Sequence, residues 1–197
     1  SLSRHILYTK DYLSKLLEIP EDELQIDFEP DTFGHNANVP EIVQKGGIKY
    51  YYHCRGYDGY IAYRWRSPSG AQVLVYREPK WYNAGIEYNM LSNVPSLCNT
   101  YGVNTALKVY GVGDHGGGPT RRDIERIIDM SSWPLLPKIR FGTFKEFFKA
   151  LETNIEYLPI VYEELNFVFT GCYTTQSRIK LANRYGETRL GSAEALT

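Results

Sequence analysis

Apolar residues fall on a helical period at the start of the chain, where Ile6, Leu7, Leu13, Leu16 and Leu17 predict a helix over residues 3–17. The period then changes. "LQIDF" is a short apolar run of strand type over 24–28, and residues 29–36 carry the Pro, Gly and Asn of a loop. A helix is predicted over 38–45, stopped by Gly46-Gly47. Strands are predicted at "IKYYYHC", "YIAYRW" and "AQVLVYR", the last two joined by the turn "SPSG". Residues 84–101 read as helical up to Val94, with Pro95 breaking or restarting the helix. "ALKVYGV" predicts a further strand, residues 111–119 a Gly-rich loop, and 121–131 a helix capped by Thr120 with Asp123 in its first turn. "KIRFG" predicts a short strand, and "TFKEFFKALE" a helix with Thr143 and Glu146 at capping-box spacing. Strands alternating with helices imply an α/β fold with a mainly parallel sheet or an incomplete (β/α) barrel.

Composition narrows the partners. Net charge is −1 over 197 residues, which gives no electrostatic case for nucleic acid or an anionic membrane surface. No apolar run approaches the ~18 residues a membrane span needs, and no signal-peptide pattern opens the chain. Cys54, Cys98 and Cys172 are widely spaced without a CxxC, which reads as reduced thiols in a cytoplasmic protein. The 17 tyrosines suit either a carbohydrate site or an aromatic core. Both ends begin or stop within a helical pattern, so the chain reads as an internal segment of a longer protein.

In parallel α/β architectures, active sites gather where strands end and loops begin. Asp31 follows "LQIDFEP" and Asp114 follows "ALKVYGV", so two carboxylates are candidates for one crevice. Asp31 reads either as a turn residue or as a rigidly held ligand or nucleophile, with Pro30 fixing φ and Gly34 allowing close approach. "YGVGDHGGGPTRR" is not a phosphate cradle, because no lysine follows Gly118 and Pro119 lacks an amide proton. It reads as a loop bordering a ligand site. Asp114 is a general acid if burial or a like charge raises its pKa, and otherwise a solvated loop aspartate. His5, His35, His53 and His115 form no HExxH or His-x-Asp motif, and a solitary loop histidine reads as polar surface. Arg55 reads as a partner for a nearby carboxylate or as a surface arginine, and Trp65 as hairpin core.

"PDTFGHNANVPEIVQKGGIKYYYHCR", "YGVGDHGGGPTRRDIER" and "GCYTTQSRIKLANRYGE" together resemble the retaining α-mannosidases of glycoside hydrolase family 38. The resemblance runs through nearly the whole chain. It implies the central and C-terminal part of a catalytic domain over 1–175 and the start of a helical middle domain over 176–197. It implies Asp31 as nucleophile and ligand of a divalent metal, usually zinc, and Asp114 as general acid/base. Arg55, near the arginine that steadies the nucleophile, and His35 are implied as substrate-binding residues. The implied substrate is an α-linked mannoside, and homo-oligomerisation stays open. Two departures stand out: no His-x-Asp pair is present, and the stretch before "GCYTT" carries Phe169 and Thr170 where the family commonly has a histidine. Cys172 reads as a buried thiol or a soft ligand. The segment alone is therefore expected to be inactive and to hold no tight zinc, with Asp31 and Asp114 facing one cleft about 5–8 Å apart. The alternative reading is a carbohydrate-binding homologue without catalysis.

Overall fold

The structure, a computed structural model, describes residues 2–113, 116–166, 171 and 174–196. After helix α1 (Leu2–Leu17), strand β1 (Ile26–Glu29) leads through a loop to α2 (Val39–Lys45), and then come β2 (Tyr50–His53), β3 (Ala62–Arg66) and β4 (Gln72–Arg77). Helices α3 (Val94–Tyr101), α4 (Arg121–Ser131) and α5 (Phe144–Glu152) precede a two-residue strand β5 (Ile160–Val161) and the long α6 (Ser177–Ala195). The sheet order is β1-β2-β4-β3-β5. β1, β2 and β4 run parallel; β3 is antiparallel to β4, and β5 is parallel to β3. The mainly parallel sheet is therefore present. Among the described residues it is open, with β1 and β5 at its ends, rather than closed into a barrel.

Side-chain alternation splits the core into two layers. Tyr51, Tyr63, Trp65, Val73 and Val75 face Val43 of α2 and Ile48, whereas Tyr50, Tyr52, Leu74 and Tyr76 face Phe147, Phe148 and Leu151 of α5. Every residue of β2 is buried, as a strand covered on both faces requires. Trp65 is fully buried and its indole N–H donates to the Glu163 carbonyl, so it is core. The 67–70 turn closes β3 onto β4, with Gly70 at φ +91° and its N–H on the Ser67 carbonyl. α5 has the full capping box of Thr143 and Glu146, and Thr120 caps α4 by accepting from the Asp123 N–H. No described helix is long and apolar enough to cross a membrane.

Three expected elements differ. Residues 106–112 form no strand: Leu107 and Val109 pack on the α5 face of the sheet, and the Leu107 carbonyl accepts from the Tyr76 hydroxyl. The alternating pattern of this segment comes from lying across a sheet face, not from pairing within the sheet. "KIRFG" likewise forms no strand. Residues 84–87 are not helical. A 3-10 turn at Tyr88–Asn93 leads into α3, so Pro95 starts that helix rather than ending an earlier one. β5 escaped the sequence reading because two residues are too short to show a period.

On β1, Asp27 and Glu29 share a face, and burial beside the Glu29 carboxylate pushes the Asp27 carboxyl up to about 7. A group whose folded pKa is raised binds its proton more tightly in the fold, so stability is lost as pH rises through about 7. Asp27→Asn removes this penalty. The variant should be more stable than the parent by up to about 4 kcal/mol at pH 8, with the gap narrowing as pH falls toward 4. Denaturant titrations at pH 8, 6 and 4 measure that gap, and a gap independent of pH contradicts the assignment.

Candidate active site

The parallel register places Glu29, His53 and Arg77 side by side at the C-terminal ends of β1, β2 and β4. The loops that follow deliver Asp31, Arg55 and Trp81 to the same edge. Arg55 Nε donates to Asp31 Oδ1 at 2.5 Å. The Arg55 side chain is largely covered, at 18% exposure, whereas the Asp31 side chain is 50% exposed. Two rings hold the guanidinium: its Cζ lies 4.4 Å from the Trp81 ring centroid and 5.0 Å from that of Phe33. Arg55 is thus the carboxylate partner that its position suggested, not a free surface arginine.

The backbone of Arg55 is held from below. His53 is fully buried; its Nδ1 lies 2.8 Å from the Arg55 carbonyl and its Nε2 2.7 Å from the Tyr63 hydroxyl. A carbonyl can only accept, so Nδ1 carries the proton and Nε2 accepts from Tyr63. Burial, with His35 adjacent, pushes His53 down to about 3, so the ring is neutral and this tautomer persists. Gly56 follows at φ +89°, and a Cβ there would meet the Leu165 carbonyl oxygen at 2.4 Å.

His35 is not loop surface. It is 3% exposed, its Nδ1 is 2.7 Å from the Tyr51 hydroxyl, and burial lowers its pKa to about 4. Its backbone pairs with Leu165 in both directions, and its Nε2 has no hydrogen-bond partner. Its ring packs against those of Tyr51, His53 and Trp65. Gly34 is tightly approached, as expected: a Cβ would meet Asn166 Oδ1 at 2.2 Å.

Asp114, His115, Phe169, Thr170 and Cys172 lie outside the described residues, and with them the expected Asp31–Asp114 separation. The described backbone does bring Gly113 against the loop after β4, where a Cβ would meet Asn83 Nδ2 at 2.0 Å. Among the described residues no group of three or more His, Cys, Asp or Glu could hold a metal ion. These residues therefore do not by themselves make up a zinc site: Arg55 takes only Oδ1 of the half-exposed Asp31, which leaves Asp31 as a single candidate donor, and both His53 nitrogens are occupied. A cleft of about 380 Å³ between α1 and β1 is lined by Asp27, Glu29, Lys10 and Ile6, but neither Asp31 nor Arg55 reaches it. Trp81 and His53 were missed in the sequence. Trp81 carried a usable signal, since it is an aromatic residue four positions beyond a buried parallel strand.

A carboxylate fixed by a stacked arginine at the C-terminal edge of a parallel sheet defines an α/β site suited to ionic or nucleophilic chemistry. The chain belongs to the glycosyl hydrolases family 38 N-terminal domain, whose model matches residues 1–171. It is 33% identical over 181 residues to alpha-mannosidase G of Dictyostelium discoideum, covering 86% of this chain and 16% of that protein. It is 30% identical over 182 residues to human alpha-mannosidase 2C1, covering 85% of this chain and 17% of that protein. The crystal structure of an alpha-mannosidase from Enterococcus faecalis V583 superposes with a TM-score of 0.62 at 21% identity, covering 84% of this chain and 20% of that one. The chain thus spans about one sixth of the length of these curated relatives.

The Gly56 geometry is testable against Gly70, which has nearly the same φ but no atom within 4 Å of its Cβ position. Gly70→Ala should cost about 1–2 kcal/mol from backbone strain alone. Gly56→Ala should cost at least about 1 kcal/mol more, because a backbone oxygen must move. Urea denaturation of both variants makes the comparison, and equal costs would show that the Leu165 contact yields freely.

Proposed function

We propose that the longer protein containing this chain is a retaining glycoside hydrolase acting on terminal α-linked mannose, with Asp31 as its nucleophile. The observation that carries the reading is the Asp31–Arg55 pair at the strand ends, in a chain of this family. Arg55 orients one carboxylate oxygen, while the half-exposed side chain stays accessible to a sugar. In a double displacement the carboxylate attacks the anomeric carbon as a general acid protonates the leaving oxygen. Water then cleaves the glycosyl–Asp31 ester, and the former acid takes the water's proton. Asp114 is our candidate for that acid/base, supported by its place one residue beyond Gly113, which packs on the Asn83 loop. For His35 we propose support of the Asp31 loop in place of direct substrate binding, on the strength of its burial.

Zinc dependence belongs to the same proposal for the longer protein, with Asp31 as one donor and the others outside the described residues. When bound, the metal would act as a Lewis acid on sugar hydroxyls. The 197-residue chain alone is proposed to be inactive, and α6 to begin a helical domain. Asp31→Ala in the full-length protein should lower hydrolysis of an aryl α-mannoside by about 10³-fold or more, with folding intact. Proton NMR of the wild-type reaction should show the α-anomer of mannose released first. Undiminished turnover by the variant, or initial release of the β-anomer, would sink the nucleophile assignment. Mannoside binding without turnover by the wild type would favour a non-catalytic carbohydrate-binding protein.

A further inference from the structure

Glu78, the first residue after β4, is 1% exposed, which is unusual for a carboxylate that the proposed chemistry does not use. Its Oε1 accepts from Lys108 Nζ at 3.2 Å, its Oε2 lies 3.4 Å from the Tyr52 hydroxyl, and the Val109 N–H also points to the carboxylate. Lys108 Nζ donates a second bond, to the Trp81 carbonyl at 3.0 Å. Trp81 carries the ring that covers the Arg55 guanidinium. Glu78 meets Arg55 by a second route as well, because its N–H donates to the His53 carbonyl and the His53 ring holds the Arg55 carbonyl. The same lysine lies in the segment that runs on toward the Gly-rich loop, where Gly113 touches Asn83.

We propose that Glu78 and Lys108 are positioning residues for the Asp31 carboxylate, acting through the Trp81 backbone and the Arg55 guanidinium. The inference rests on the reading of Asp31 as nucleophile. Neither residue touches substrate; each fixes the platform on which Arg55 lies. The physical case is the cost of the arrangement. A buried ion pair adds little stability over apolar residues of the same size, so stability alone gives this pair little reason to be there. A second bond from the lysine to one specific carbonyl, in the loop beneath the arginine, is what an apolar pair could not supply. A shift of about 1 Å at Trp81 would move the arginine and, with it, the attacking oxygen, and misplacement on that scale costs rate by up to about 100-fold.

Removing Lys108 alone would strand the fully buried Glu78 carboxylate, whereas the partly exposed Lys108 can reach water, so the test uses the uncharged pair Glu78→Gln with Lys108→Met in the full-length protein. Two readouts are taken beside thermal stability: the split between kcat and KM for an aryl α-mannoside, and the Arg55 Nε–H resonance in protein labelled with ¹⁵N-arginine. That resonance is identified by its absence in Arg55→Lys. The expected result is a folded protein in which kcat falls about 10- to 100-fold while KM changes little, and in which the Arg55 Nε–H loses its protection from exchange. Lys108→Arg, which can still reach both oxygens, should restore much of each. A folded double variant with unchanged kcat and an unchanged Arg55 signal overturns the proposal. If the double variant does not fold, Glu78→Gln alone, which keeps the shape and the Tyr52 contact, decides on the same readouts. A wild-type protein without turnover would count against the proposed hydrolase, while the Arg55 signal would still decide the positioning role.

Discussion

Three parallel strands ending in step govern everything at this site. Glu29, His53 and Arg77 are register partners, so a residue placed a fixed distance beyond each strand arrives at one edge. Asp31 and Arg55 each stand two residues past their strand, and Trp81 stands four past its own. An arginine can meet a carboxylate at 2.5 Å and still stack on a ring from a third loop only if that register is held. The tyrosine-rich core is what holds it. Tyr50 stacks on Phe148 and Tyr52 packs edge-on to Phe144, which fixes β2 from the α5 side, while Tyr51 and Trp65 meet edge-to-face on the other.

Polar groups in that core are linked to the loops of the candidate site. A buried hydroxyl or imidazole must find a partner or carry a desolvation penalty. Here the partners form chains that end at the loops: Tyr63 to His53 to the Arg55 carbonyl, and Tyr51 to His35 beneath the Asp31 loop. Burial holds both histidines neutral near physiological pH, with pKa values lowered to about 3 and about 4. That neutrality is essential, because a charged His53 beside His35 and under Arg55 would repel the arginine it supports.

How much of this could be read from the sequence differs by kind of feature. Asp31, Gly34 and Arg55 were legible as candidates because they directly follow strand-like runs, although a plain turn residue and a surface arginine fit the same local pattern. Both helix caps were legible because Thr-x-x-Asp and Thr-x-x-Glu are local chemistry. The segment 106–112 was misread because alternation reports which side chains face the core, and a segment crossing a sheet face alternates just as a strand does. His35 and His53 were undervalued for a related reason. Their partners are tyrosines of β2 and β3, and only the fold brings those hydroxyls within 2.7 Å. Trp81 is a case of distance: its place after a buried strand marks the edge, but nothing local says that it covers an arginine 26 positions earlier.

The contacts of Arg55 also explain why the β1 loop has its composition. Phe33 supplies one ring and Asp31 the carboxylate, so one short loop provides both an electrostatic and an aromatic partner for the same guanidinium. For both to reach it, the chain must turn sharply after β1. Pro30 restricts the turn on one side, and Thr32 secures it by donating its hydroxyl to Glu29. Gly34 then lets the Asn166 side chain press against the backbone, which closes the loop from above. A lysine at position 55 could answer the charge but not the geometry, because an ammonium has no flat face to lay on a ring and no fork to aim at a carboxylate. The choice of arginine at that position and the choice of aromatic residues at 33 and 81 are therefore one constraint, imposed through three separate loops by the register of the strands beneath them.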